Sequence, residues 1–156
     1  MGRVGHRGPS TGIDPWTFES RIFDPTSLKK LEFLNIGCCK CVTDSDTKSI
    51  SELINLKELH ISNSSITDIG ISYLRGLEKL TTLNGCNITG ACLEFIHALA
   101  SLACLNLRCG LSNDGFEKIA GLKSLKRLSL AFNRITDASL VHLKGDDGLA
   151  NLTGLH

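Results

Sequence analysis

Leucines at fixed offsets organise this chain. From residue 31 the apolar positions repeat as L-x-x-L-x-L, followed after a few small or polar residues by an aliphatic residue and then Thr or Ser. Five copies can be laid over one another. The first runs from Leu31 through Leu34, Ile36, Cys39 and Val42 to Thr43-Asp44, and the second from Leu56 through Leu59, Ile61, Ser64 and Ile66 to Thr67-Asp68. The third holds Leu80, Leu83, Cys86, Ile88 and Thr89, the fourth Leu102, Leu105, Leu107, Cys109, Leu111 and Ser112. The fifth holds Leu125, Leu128, Leu130, Asn133, Ile135 and Thr136-Asp137. Leading leucines stand 25, 24, 22 and 23 residues apart. A period of this size marks a chain that stacks one supersecondary unit on the next, because a single unit cannot bury its apolar face.

The L-x-L segment predicts a short strand with its leucines inward and the intervening residues outward. The second half of each copy predicts a helix. In "ITDIGISYLRGLEK", Thr67 or Asp68 is the N-cap, Ile71, Leu74 and Leu77 recur at spacing three, and Gly76 stands near the stop. Leu93, Ile96 and Leu99, then Phe116, Ile119 and Leu122, then Leu140 and Leu143 continue the pattern. Strand and helix in fixed register predict an α/β solenoid. Strands pack closer together than helices, so parallel strands would line a concave face and helices a convex one.

Between strand and helix the chain turns inside the coil, leaving backbone groups without a ladder partner. A buried unpaired group costs roughly 1–3 kcal/mol, so a hydrogen-bonding residue should recur there. Cys39, Ser64, Cys86, Cys109 and Asn133 occupy that place and are the expected structural turn ladder. Asn carries both donor and acceptor, whereas Cys offers a weak donor and tolerates burial.

The phrases "LEFLNIGCCKCVTDSD", "LKELHISNSSITDIGISYLRGLEKL", "NGCNITGACLEFIHAL" and "ITDASLVHLKG" resemble leucine-rich repeat proteins of the cysteine-containing, ribonuclease-inhibitor-like subtype, and most of all the plant F-box members of that group. The resemblance spans about residues 28 to 145. It implies a right-handed β-α superhelix and a protein-protein interaction module, like the substrate-recognition repeats of an F-box-type ubiquitin ligase subunit. The alternative is a plant disease-resistance or defence leucine-rich repeat protein that recognises a protein ligand. A ligase scaffold would be a partner only if an F-box exists in the full-length protein, because residues 1–27 are too short for that module.

Two copies are irregular. "LTTLNGCNIT" is two residues short and puts Gly85 where strand meets turn, and "LACLNLRCGLS" is one residue short. A missing residue inverts side-chain alternation, so these coils are expected to bend locally or fit poorly. The expected organisation is an irregular lead-in or partial cap over 1–27, five repeats over 28–145 and the start of a truncated repeat over 146–156. In the lead-in, Trp16, Phe18, Ile22 and Phe23 are the apolar residues available to cover the first coil. Leu149, Leu152 and Leu155 begin what reads as another strand, so the chain is expected to be a piece of a longer array.

Composition narrows the partners. With 42% apolar residues, the 156-residue chain can build a core, and a net charge of +1 from scattered Lys and Arg argues against nucleic acid. No apolar run reaches the length of a membrane span, and the first thirty residues lack a signal-peptide core, so the expected compartment is the cytoplasm or nucleus. The seven cysteines form no paired framework and read as free thiols. "CCKC" at 38–41 has no second Cys or His pair at zinc-ligand spacing, so neither a metal nor any cofactor is expected. His60, His97 and His142 have no nearby Asp or Ser suggesting a triad, and no catalytic residue is assigned. Sequons at Asn63, Asn87 and Asn151 read as chance matches.

What remains is the outward face of the strands. Asn35, Asn84, Asn106 and Ser129 read there as a solvated polar row. Phe33, His60, Arg108, Arg127 and Phe132 are the candidate binding residues, because aromatic and Arg side chains carry much of the energy at protein interfaces. The two arginines fall in adjacent coils, where an acidic segment of a partner could dock by charge-assisted hydrogen bonds.

Overall fold

A computed structural model of the protein describes residues 12–13, 28–86, 88–108, 111–119, 121–139 and 149–156. Among them seven strands form one parallel sheet whose spatial order is the chain order: β1 (Gly12–Ile13), β2 (Phe33–Asn35), β3 (Glu58–His60), β4 (Thr82–Cys86), β5 (Cys104–Arg108), β6 (Arg127–Ser129) and β7 (Gly154–Leu155). Helices return the chain between strands: α1 (Asp44–Ile50), α2 (Asp68–Tyr73), α3 (Leu93–Ile96) and α4 (Asn113–Ile119). Consecutive helices pack on one another, as consecutive strands do. The coils are therefore numbered one to five by β2 to β6.

Register explains why the leucines repeat. Ile13, Leu34, Leu59, Leu83, Leu105, Leu128 and Leu155 form one row across the sheet. From Leu34 to Leu128 every member is buried in a single core cluster, with Ile36, Ile61, Leu107 and Leu130 behind it. The helix side contributes Ile50, Ile71, Leu74, Ile96, Phe116 and Ile119 to the same cluster. Each coil closes its neighbours' apolar faces, so area removed from water is shared along the stack. Of the helix residues named from spacing, Leu140 and Leu143 lie outside the described residues.

The shortened copies do not disturb the sheet. β4 and β5 are its longest strands and pair without a slip from Thr82↔Cys104 to Cys86↔Arg108. Gly85 stands opposite Leu107, at an inward position. A Cβ added to Gly85 would meet Ile88 Cδ1 at 3.2 Å, so the Ile88 side chain fills the place of the missing aliphatic residue. Local misfit was the expectation; the shortening is instead taken up after the strand. Cys86 accordingly ends β4 instead of standing beyond it in the turn, and Cys109 lies outside the described residues.

In the three full-length coils the turn beyond the strand needs a left-handed residue four positions after the row leucine. Cys38, Asn63 and Phe132 take it, with φ of 65°, 59° and 66°. Asn tolerates this conformation, whereas for a bulky Phe it is strained.

Two sets of side chains serve the turns and the helix starts. In the turn, Asn133 Nδ2 donates to Leu107 O at 2.7 Å and Leu130 O at 2.8 Å, while its Oδ1 accepts from Leu111 N at 2.8 Å. Ser64 Oγ donates to Ile61 O at 2.7 Å. Cys39 is half-buried against the core, and burial first, then the Cys41 and Cys38 thiols, pushes its thiol pKa up. At the helix starts Thr43, Thr67 and Thr89 are N-caps, and after Thr43 and Thr67 the next residue, an Asp, reaches into the following coil. Asp44 accepts from Thr67 N, Thr67 Oγ1 and Gly70 N at 2.7, 2.7 and 3.0 Å. Asp68 accepts from Thr89 N and Thr89 Oγ1 at 2.7 and 2.6 Å. Asn113 repeats the arrangement toward Thr136 and Ser139.

At the ends, Gly12–Ile13 pairs with β2 and Gly154–Leu155 with β6. Leu149 is buried and Leu152 half-buried against the core. Trp16, Phe18, Ile22 and Phe23 lie outside the described residues. Among the described residues no helix is long and apolar enough to cross a membrane.

Candidate functional site

Strand alternation puts two rows of side chains on the outer face of the sheet. The first, at the strand starts, is Phe33, Glu58, Thr82, Cys104 and Arg127; the second, two residues on, is Asn35, His60, Asn84, Asn106 and Ser129.

Coils one to three form a compact cluster on this face. The Phe33 and His60 rings stand 5.4 Å apart, tilted by 49°. Asn84 Nδ2 lies 2.6 Å from His60 Nδ1. In this arrangement the amide N–H donates and Nδ1 accepts. Nε2 is buried with no hydrogen-bond partner among the described residues, and Glu58 Oε2 stands 3.8 Å away. That distance is beyond a hydrogen bond but within reach of an ion pair when the ring is protonated.

The polar row is less solvated than expected from sequence. Asn35 Oδ1 turns back to accept from Gly37 N at 3.1 Å, Asn84 is committed to His60, and Asn106 Oδ1 is buried without a partner. Parallel neighbours lie only about 4.8 Å apart, so short side chains in register shield one another from water. A buried unpaired polar atom costs roughly 1–3 kcal/mol, and among the described residues the unpartnered buried side-chain atoms are His60 Nε2 and Asn106 Oδ1.

Coils three to five hold a shallow hollow of about 210 Å³, lined by Thr82, Asn84, Cys104, Asn106, Arg127 and Ser129 among others. Arg127 Nε donates to Cys104 Sγ at 3.1 Å, which holds the guanidinium against the sheet. Arg108, at the end of β5, lays its guanidinium carbon 4.1 Å from the Phe132 ring centroid. Phe132 is 79% exposed. The cation–π contact pairs the strained Phe132 backbone with an outward aromatic ring, a combination of the kind found at recognition sites.

The five candidate residues therefore fall into three places: Phe33 with His60, Arg127 on the hollow, and Arg108 with Phe132. The arginines are in adjacent coils, but Arg127 pairs with Cys104, four residues before Arg108. At about 3.3 Å per residue they stand roughly 13 Å apart along the strand direction, too far for one carboxylate to bridge. Sequence reasoning passed over Glu58, Asn84 and Asn106 as partners in the site, and over Asp44, Asp68 and Asn113 as ties between coils. The recurring Thr-Asp at 43–44 and 67–68 was the available signal for the ties. Three thiols gather at the first turn, Cys38 and Cys41 exposed and Cys39 between them. Among the described residues no group of three His, Cys, Asp or Glu is arranged to hold a metal ion.

A sheet of single strands in chain order, one buried leucine row and a helix after each strand decide the architecture. The fold is a leucine-rich-repeat solenoid. A model of the leucine-rich repeat family matches residues 55–77, the second coil. Internalin C2 from Listeria monocytogenes is similar in structure, with a TM-score of 0.59 and 25% identity over 83% of this chain and 52% of that one. A second internalin (inlF) from the same bacterium is similar in fold, with a TM-score of 0.54 and 23% identity over 86% of this chain and 43% of that one. The solenoid described here thus spans about half the length of either neighbour. No curated protein sequence matches the chain.

Proposed function

We propose that the chain is a protein-protein interaction module whose partner binds on the strand face. The observation that carries this reading is the gathering of outward aromatic and arginine side chains on that one surface: Phe33 with His60, Arg127 on the hollow, and Arg108 with Phe132. Aromatic and Arg side chains on a rigid sheet supply contact area at little entropic cost, and two separated guanidinium groups favour an acidic partner. Their spacing suits an extended acidic segment with more than one carboxylate. Arg108→Ala with Arg127→Ala should weaken binding of the partner at least tenfold without moving the unfolding midpoint. Unchanged affinity would sink the assignment of the face.

A finer reading makes the module resemble the substrate-recognition repeats of an F-box-type ubiquitin ligase subunit in the cytoplasm or nucleus. It rests on the Cys-containing repeat phrases, of which Cys39 is the described turn residue. Sequencing the parent transcript tests it. An F-box module joined to these repeats would support it, and a nucleotide-binding module or a secretion signal would replace it with a defence role.

A further inference from the structure

The turn beyond the strand asks for a residue that tolerates the left-handed backbone, and coil two supplies Asn63 there. Coil five supplies Phe132, with φ of 66°. Phe fits that backbone poorly, and burial does not offset the strain, because the side chain stays 79% exposed. What holds the ring is Arg108 from the neighbouring coil, its guanidinium carbon 4.1 Å from the ring centroid. The turn itself gains little from an aromatic residue, so the ring is better accounted for by what covers it in a complex.

Distance links that ring to the hollow. Arg127, at the strand start, is exposed and takes part in no ion pair among the described residues, and no Asp or Glu lines the hollow beside it. Phe132 stacks on Arg108, four residues beyond the Cys104 that pairs with Arg127. The two places therefore stand about 13 Å apart along the strand direction. In an extended peptide, residues four apart span the same distance and, with a side-chain period of two, point to the same side. Building on the reading of the strand face as the binding face, we propose that an extended segment of the partner runs along coils four and five. It places an Asp or Glu in the hollow at Arg127 and, four residues away, packs an apolar side chain on the Phe132 ring that Arg108 braces. Charge alone would accept any acidic tract. The ring makes the face select acidic segments that carry an apolar residue at one spacing.

The test uses the intact chain, a displayed library of random linear peptides as the probe, and Phe132→Asn as the deciding variant. Asn63 occupies the same place in coil two, so Phe132→Asn should not lower the unfolding midpoint. The unaltered chain should select peptides with an acidic and an apolar residue four positions apart. Phe132→Asn should weaken them about tenfold, and replacing the peptide's apolar residue by Ala should cost the same factor in the unaltered chain but nothing further in the variant. Arg127→Ala should remove the preference for the acidic residue and leave that for the apolar one. Acidic peptides that lack a spaced apolar residue, or that bind Phe132→Asn equally well, would overturn the role of Phe132 and leave the strand face as the binding surface. A fall in the midpoint of Phe132→Asn would assign the ring to the fold and overturn that role as well. Peptides indifferent both to Phe132→Asn and to Arg108→Ala with Arg127→Ala would overturn both readings. A library that yields no binder would overturn the extended-segment proposal alone.

Discussion

The junction between coils one and two and the junction between coils three and four meet the same requirement by opposite means. At the first, the Asp44 carboxylate crosses to the next coil and accepts three hydrogen bonds. It is seated against Gly70, where an added Cβ would stand 2.5 Å from Asp44 Oδ1. At the second, the residue after the N-cap is Gly90, with no side chain to send across. There the backbones approach instead: a Cβ on Gly90 would lie 3.1 Å from Gly115 Cα. Farther along the helices, Lys118 Nζ pairs with Glu94 at 3.1 Å and His97 Nε2 meets the Lys118 carbonyl. One position in the repeat thus works either as a charged tie or as a gap that lets neighbours close. Exchanging the two devices should fail in both directions.

Asp44→Ala should be the largest effect, a loss of about 3 kcal/mol by denaturant titration, because three donors in the next coil lose a charged acceptor. Asn133→Ala removes three hydrogen bonds from the turn between coils four and five and should cost about 2 kcal/mol. An unmoved midpoint for Asn133→Ala would contradict the register assigned to that turn. Gly90→Asp probes the exchange directly. If the third junction merely lacked a tie, the variant would be stabilised; with Gly115 backbone in the way it should lose about 1–2 kcal/mol. A rise in its midpoint would break the comparison between junctions.

The smallest effect lies in the first turn, where a thiol stands at the place Asn133 holds in coil five. Burial and the neighbouring thiols raise the Cys39 pKa, so at neutral pH less of it is thiolate. Time-resolved iodoacetamide labelling read by mass spectrometry should modify Cys39 more slowly than Cys38 and Cys41, with the difference narrowing as pH rises. Equal rates at neutral pH would mean that Cys39 is not held against the core.

The amino-acid sequence alone determined the period, the α/β architecture and the inward leucine row, because burial of a strand with a side-chain period of two leaves one solution for L-x-L. Ser64 and Asn133, expected at the turn because a buried turn admits few residue types, make side-chain hydrogen bonds there. Three things were decided only by the tertiary structure. The two short copies were expected to fit poorly, yet Ile88 folds back into the space at Gly85, a compensation between residues that no spacing rule records. Asn84 and Asn106 read as solvated until register placed them side by side at strand spacing, with Asn84 bonded to His60 and Asn106 Oδ1 buried. Arg108 and Arg127 are neighbours by coil but stand at opposite ends of the strand by pairing. Local pattern sets which way a side chain points. What it meets there depends on the neighbouring coil, about two dozen residues away in the chain.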